Sequence, residues 1–162
     1  MSAATIDTSK VGDIIRKCGA DRSELINILH DIQEEYNWLP AEALKMVAKE
    51  LGMGDIEVLG VASFYRSFSL KPRGRHIVDV CLGTACHVRG APRILEEIER
   101  QLAVKSGETT KDSNFTLETV NCVGACALGP IIIIDKEYHG QMKADKTGRL
   151  IKRMKKQTAK TN

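Results

Sequence analysis

The sequence is poor in aromatic residues and has no long apolar run. Phe, Trp and Tyr make up 4% of its 162 residues, so a core must rest on Leu, Ile, Val, Ala and Met. No aromatic platform for stacking single-stranded nucleic acid is available. The longest aliphatic run, Ile131 to Ile134, is far short of the roughly 20 apolar residues that a membrane-spanning helix requires. The start, Met1 to Lys10 with its early Asp7, lacks both the basic and the apolar region of a secretory signal, which predicts a cytoplasmic protein. A dinucleotide fingerprint is missing too, because Gly52 and Gly54 are followed by Glu57 where a third glycine belongs. A P-loop fails as well, since Pro130-Ile131 follows Gly124 and Gly129 in place of Lys-Ser/Thr.

What is there suits a folded chain of one domain or two small ones: 43% hydrophobic and 28% charged residues. The net charge of +3 is unevenly spread. Between Lys143 and Lys160, eight Lys or Arg face one acid, Asp145, a local +7 that leaves −4 for the remainder. The plain reading is a C-terminal helix with a solvated basic face; the sharper one is a docking surface for an acidic partner. Nucleic acid is disfavoured, because no reading motif accompanies the charge.

Two halves follow different periods. From Asp21 to about Phe68 the signals are helical, opening on Asp21 and Glu24 as a capping-box-like start. Leu25, Leu29, Ile32 and Tyr36 form one stripe. Pro40 suits the first position of the next helix, which buries Leu44, Val47, Ala48 and Leu51 and stops at Gly52. A third helix is predicted from Asp55 to about Phe68, with Val58, Ala62 and Tyr65 on one side. Lys71 to Arg75 reads as a charged, turn-rich linker. After it come a strand at His76–Val80, a helix at Pro92–Val104, a polar loop at Ser106–Asn114, and strands at Phe115–Val120, Ile131–Ile134 and Tyr138–Met142. A helix at Lys146–Lys156 closes the chain. The expectation is an α+β protein with a small helical bundle over residues 1–70 and an α/β domain over 71–162. No internal repeat is visible.

Four cysteines carry the strongest chemical signal. Cys81, Cys86, Cys122 and Cys126 give the pattern C-x4-C-x35-C-x3-C, each pair following a predicted strand. Their loops, Cys-Leu-Gly-Thr-Ala-Cys and Cys-Val-Gly-Ala-Cys, are small and glycine-bearing, so backbone N–H groups can approach sulfur closely. An iron–sulfur cluster with four thiolates fits the count and the loops. Structural zinc also takes four thiolates, usually from tighter knuckles, and a dithiol redox pair usually reads C-x-x-C. Five cysteines without a signal peptide do not suit an extracellular disulfide framework.

Over nearly its whole length the sequence resembles the thioredoxin-like [2Fe–2S] ferredoxin subunits of NADH-linked oxidoreductases. That family includes the small flavoprotein-module subunit of respiratory complex I and the small subunits of electron-bifurcating hydrogenases and NAD-dependent formate dehydrogenases. The resemblance lies in Trp38-Leu39-Pro40, in Gly60-Val61-Ala62-Ser63-Phe64-Tyr65 and in both cysteine loops. The run from Cys81-Leu82-Gly83-Thr84-Ala85-Cys86 through His87-Val88-Arg89-Gly90-Ala91 looks most like the hydrogenase and formate dehydrogenase branch. The resemblance implies a thioredoxin-like fold for the second domain, with Cys81, Cys86, Cys122 and Cys126 as ligands of one [2Fe–2S] cluster. It also implies a larger iron–sulfur partner that carries FMN and the NAD(P)H site, beside a catalytic hydrogenase or formate dehydrogenase subunit. No catalytic residue is expected in this chain alone.

Other residues receive plainer expectations. Cys18 reads as a small hydrophobe of the helical part, and His87 as a solvated or hydrogen-bonding neighbour of the site. His30, His76 and His139 have no ligand spacing; Arg89 and Arg93 are expected to face water, with a bearing on a partner or on the cluster charge as the alternative. Trp38, Phe64 and Tyr65 are expected to pack the helical part, with an interface role as the alternative. A bundle of that size buries little surface by itself, so it is expected to dock on a larger partner.

Overall fold

The computed structural model describes residues 8–158. Residues 1–7, which include most of the start read as lacking a signal, lie outside that range, as does Lys160. The chain divides into two compact units, residues 1–72 and 73–162.

Four helices build the first unit: α1 (Thr8–Lys17), α2 (Leu25–Tyr36), α3 (Ala41–Leu51) and α4 (Asp55–Phe64). α1 adds Val11 and Ile15 to a core that also takes Leu25, Ile28, Leu29 and Ile32 from α2, and Leu44, Val47 and Leu51 from α3. Gly52 ends α3 at φ +60°, a left-handed cap that glycine adopts without strain. Three local expectations are corrected. Asp21 caps a 3₁₀ turn by accepting from the Ser23 N–H, while Glu24 turns to the Asn27 side chain instead of closing a capping box. Pro40 is the N-cap of α3, one residue before its first turn. α4 stops at Phe64 because Tyr65 is extended, and Phe68 folds back with its N–H on the Tyr65 carbonyl.

The second unit is a five-stranded mixed sheet in the order β2-β3-β1-β4-β5. Its strands are β1 (His76–Cys81), β2 (Glu108–Thr109), β3 (Phe115–Val120), β4 (Ile132–Ile134) and β5 (Glu137–His139). β1 and β3 are parallel, in register from His76 opposite Phe115 to Cys81 opposite Val120. β1 is antiparallel to β4. Alternation along the strands sends Val78, Val80, Phe115, Leu117, Ile132 and Ile134 to one face. There they meet Ile94, Ile98 and Leu102 of α6 (Ala91–Leu102) and Ile151 of α7 (Ala144–Thr158). Each such fully buried side chain contributes about 1.5–3 kcal/mol. Gly148 stands inside α7 despite its low helix propensity, since the space a Cβ would take is filled by the Gln101 and Glu97 side chains of α6.

Two further expectations change here. The supposed linker is built into the sheet: Gly74 donates its N–H to Thr116 Oγ1 at 2.6 Å, and Arg73 holds Glu118 through Nε at 2.8 Å and Nη2 at 3.0 Å. The polar loop over 106–114 contains β2, an edge strand defined by its pairing with β3. Among the described residues no helix is long and apolar enough to cross a membrane.

Candidate metal centre

Parallel pairing of β1 and β3 delivers both C-termini to the same end of the sheet, and each opens into a cysteine loop. Cys81 is the last residue of β1, and Cys86 sits on α5 (Thr84–Val88), a short helix not anticipated from the sequence. Cys122 follows β3, and Cys126 starts a 3₁₀ turn, Cys126–Leu128. The loops are laced together by backbone bonds, Leu82 N–H to Val120 O at 2.8 Å and Cys81 N–H to Ile131 O at 3.1 Å.

The contact is closest at two glycines. A Cβ on Gly83 would lie 2.4 Å from Asn121 O and 3.3 Å from Cys122 Cβ. A Cβ on Gly129 would lie 3.1 Å from Cys86 Sγ and 3.2 Å from Cys126 O. The Gly124 N–H donates to Cys122 Sγ at 3.4 Å, with Gly124 at φ +79°. Backbone therefore reaches sulfur as the loop composition predicts.

The thiols differ by location. Cys81 and Cys86 are buried in a small apolar cluster with Ala91, Ile131 and Ile133, whereas Cys122 and Cys126 are exposed with their sulfurs 4.0 Å apart. The Cys86 thiol is pushed up in pKa by burial, then by its hydrogen bond with Cys81 and by the charges of Cys81 and Cys126. The Cys126 thiol is pushed up by its hydrogen bond with Cys122, then by the Cys122 charge, burial and the Cys81 charge. Raised in this way, the Cys86 and Cys126 thiols ionise readily only when a cation takes the charge. Among the described residues, no three His, Cys, Asp or Glu side chains are gathered closely enough to share one ion. A binuclear cluster takes two thiolates on each iron, and the donor set comes as two pairs. The residues present thus fit a [2Fe–2S] group.

The other residues singled out from the sequence fall as follows. Cys18 packs on the core of the helical unit, and His87 is exposed beside Cys86. His30 packs tilted against Phe68, with ring centroids 4.9 Å apart. His76 Nδ1 lies 2.6 Å from Asp135 Oδ2. Arg89 does not simply face water: its Nη1 donates to the carbonyl of Cys126 at 2.8 Å. Phe64 corrects the expectation of packing, since it is 80% exposed; Tyr65 is 40% exposed and Trp38 half-buried.

The sequence model of the thioredoxin-like [2Fe–2S] ferredoxin family matches residues 11–155. The chain belongs to that family. As a thioredoxin-like [2Fe–2S] ferredoxin it has one [2Fe–2S] cluster as its cofactor. It is 34% identical over 133 residues to the NADP-reducing hydrogenase subunit HndA of Solidesulfovibrio fructosivorans, covering 82% of this chain and 78% of that one. It is 38% identical over 135 residues to a subunit of the NADH-quinone oxidoreductase of Rickettsia conorii, covering 82% and 80%. In fold it is similar to an NAD+-reducing [NiFe]-hydrogenase crystal structure, with a TM-score of 0.73 at 22% identity. That match covers 83% of this chain and 23% of the hydrogenase chain.

Proposed function

We propose that this ferredoxin is a one-electron transfer subunit that holds its cluster on Cys81, Cys86, Cys122 and Cys126. It exchanges electrons with the flavin of a larger NAD(P)H-binding iron–sulfur subunit. The observation that carries this reading is that two cysteine pairs, one buried and one exposed, lie at the same end of the sheet, with Cys86 Sγ and Cys126 O both facing Gly129. When bound, the cluster supplies storage for one electron. The chain's residues supply the rest: Cys81 and Cys86 anchor it against an apolar wall, and exposed Cys122 and Cys126 form the side open to a partner's redox group. The sequence lacks a dinucleotide fingerprint, so nicotinamide binding is assigned to the partner.

The host we infer is a cytoplasmic electron-bifurcating hydrogenase or NAD-dependent formate dehydrogenase. Support comes from the Gly83-Thr84-Ala85 run between the first two cysteines and from the likeness to a hydrogenase subunit. A complex I host is the second reading, favoured by the 38% identity to an NADH-quinone oxidoreductase subunit. Native purification followed by assays of hydrogen-, formate- and quinone-linked NAD(P) turnover separates these hosts.

Iron and acid-labile sulfide analysis of anaerobically purified protein tests the cluster. Two irons and two sulfides per chain are expected, with an EPR signal on reduction. Cys→Ser at 81, 86, 122 or 126 removes or alters that signal, and C18S leaves it intact. Stoichiometric zinc with no iron would overturn the electron-transfer reading.

A further inference from the structure

We propose that Arg89 is a positioning residue, which clamps the Cys122–Cys126 loop against the Cys81–Cys86 loop and keeps a fixed positive charge beside the thiols. The inference rests on the cluster reading above and deepens it.

Arg89 follows Cys86 by three residues and caps α5, its own N–H bonding Ala85 O at 3.3 Å. From there its Nη1 reaches across to the other loop, 2.8 Å from Cys126 O, 3.3 Å from Gly129 O and 3.4 Å from Ala127 O. These carbonyls lie in and just after the 3₁₀ turn that Cys126 begins. The Cys126 carbonyl already accepts the Gly129 N–H at 3.1 Å, so the guanidinium takes its second lone pair, and carbonyls at the end of a helical turn attract a cation. A guanidinium suits the place, because it is always charged and its Nη1 alone brings two N–H donors to these carbonyls. One side chain thus joins a cysteine of the first pair to the backbone of a cysteine of the second.

Gly129 leaves room for this arrangement. The point a Cβ there would occupy is 3.1 Å from Cys86 Sγ and 3.6 Å from Arg89 Nη1, so sulfur and guanidinium flank the same gap. A reduced site carries one more negative charge than an oxidised one, and a neighbouring cation favours it. Arg89 therefore holds the reduction potential up. Because Arg89 is exposed, salt weakens that contribution.

The test compares Arg89→Gln and Arg89→Lys in the full-length chain. In metal-free protein, R89Q is expected to speed hydrogen exchange at residues 122–129 about tenfold, as the loss of one charge-assisted bond allows, with β1 and α6 unchanged. R89K keeps the charge, but its shorter stem sets the ammonium back from the carbonyls that Nη1 reaches, and its exchange stays fast. After reconstitution, R89Q shifts the EPR-monitored potential negative by an amount that shrinks as salt rises, whereas R89K stays near the wild-type value. Wild-type exchange in R89Q, a wild-type potential in R89Q, or an equal fall in both variants would each overturn the proposal. A wild-type chain that takes up no iron or sulfide overturns the cluster reading instead; the exchange result is read without the cluster and then decides the clamp.

Discussion

Gly83 and Gly129 determine how near the two cysteine loops come. The atom facing Gly83 is a main-chain oxygen, Asn121 O, only 2.4 Å from where a Cβ would stand, and it has no side-chain freedom with which to retreat. Gly83→Ala is therefore expected to part the loops, lower stability by about 1–3 kcal/mol and abolish cluster uptake. At Gly129 the nearest atom is Cys86 Sγ, at 3.1 Å, so Gly129→Ala should be milder, folding normally with reduced iron content. Urea midpoints and iron-to-protein ratios check both variants. Away from the site, Asp112 organises the turn before β3 by accepting from Thr110 Oγ1, Asn114 Nδ2 and the Asn114 N–H. The Thr110 hydroxyl, then the Asn114 side chain, hold its carboxyl below the ordinary range. A depressed folded pKa means that the stabilisation is present at and above the unfolded value and disappears as pH falls through the folded one. Carbon-detected NMR titration should give Asp112 a midpoint below that of a free aspartate, and an ordinary midpoint would contradict the turn described.

Among the described residues, α4 carries three of the exposed large apolar side chains. Ile56 is 86% exposed, Leu59 46% and Phe64 80%, and nothing lies within 4 Å of a Cβ built on Gly60. Gly60→Ala should stabilise the isolated chain by up to about 1 kcal/mol, since it replaces a poor helix former in open space. The double change Ile56→Ser, Phe64→Ser is expected to leave cluster content untouched and to abolish co-purification with the partner subunit; retained co-purification would remove α4 from the interface. Several elements are legible in the sequence. α3 follows from Leu44, Val47, Ala48 and Leu51 at helical spacing with Gly52 as the stop, and β3 from the run Phe115 to Val120. Their periodicity and terminators are local. α1 is legible too, with Val11, Ile14, Ile15 and Cys18 at i, i+3, i+4 and i+7, but a reading that opens at the Asp21 cap starts after it. α5 has five residues, and β2 exists only through its pairing with β3. In the site, the cysteine loops can be read because chemistry fixes residue type and spacing. The Arg89 contact spans 37 positions to Cys126, and no local pattern encodes a bond of that reach. An arginine closing a short helix beside one cysteine pair is the available hint.

For the molecule as a whole, the split at Pro72 and Arg73 leads to a prediction about division of labour. A fragment covering residues 73–162 is expected to fold and acquire iron and sulfide while failing to join the partner, because the exposed α4 surface is gone. Analytical ultracentrifugation with the isolated partner would read the outcome, and undiminished complex formation would assign assembly to the second unit. The basic residues of α7 stay exposed from Lys146 through Lys156 and offer that unit an electrostatic, salt-sensitive contact of its own. The parallel alignment of β1 with β3 has a practical side. Both strands start at the end of the sheet opposite the cysteines, where the Arg75 N–H bonds Ser113 O. Six residues of strand separate the two ends by about 20 Å. A spin label or fluorophore at Ser113 would thus sit at a fixed stand-off from the sulfurs, a built-in ruler for following changes at the site without disturbing it.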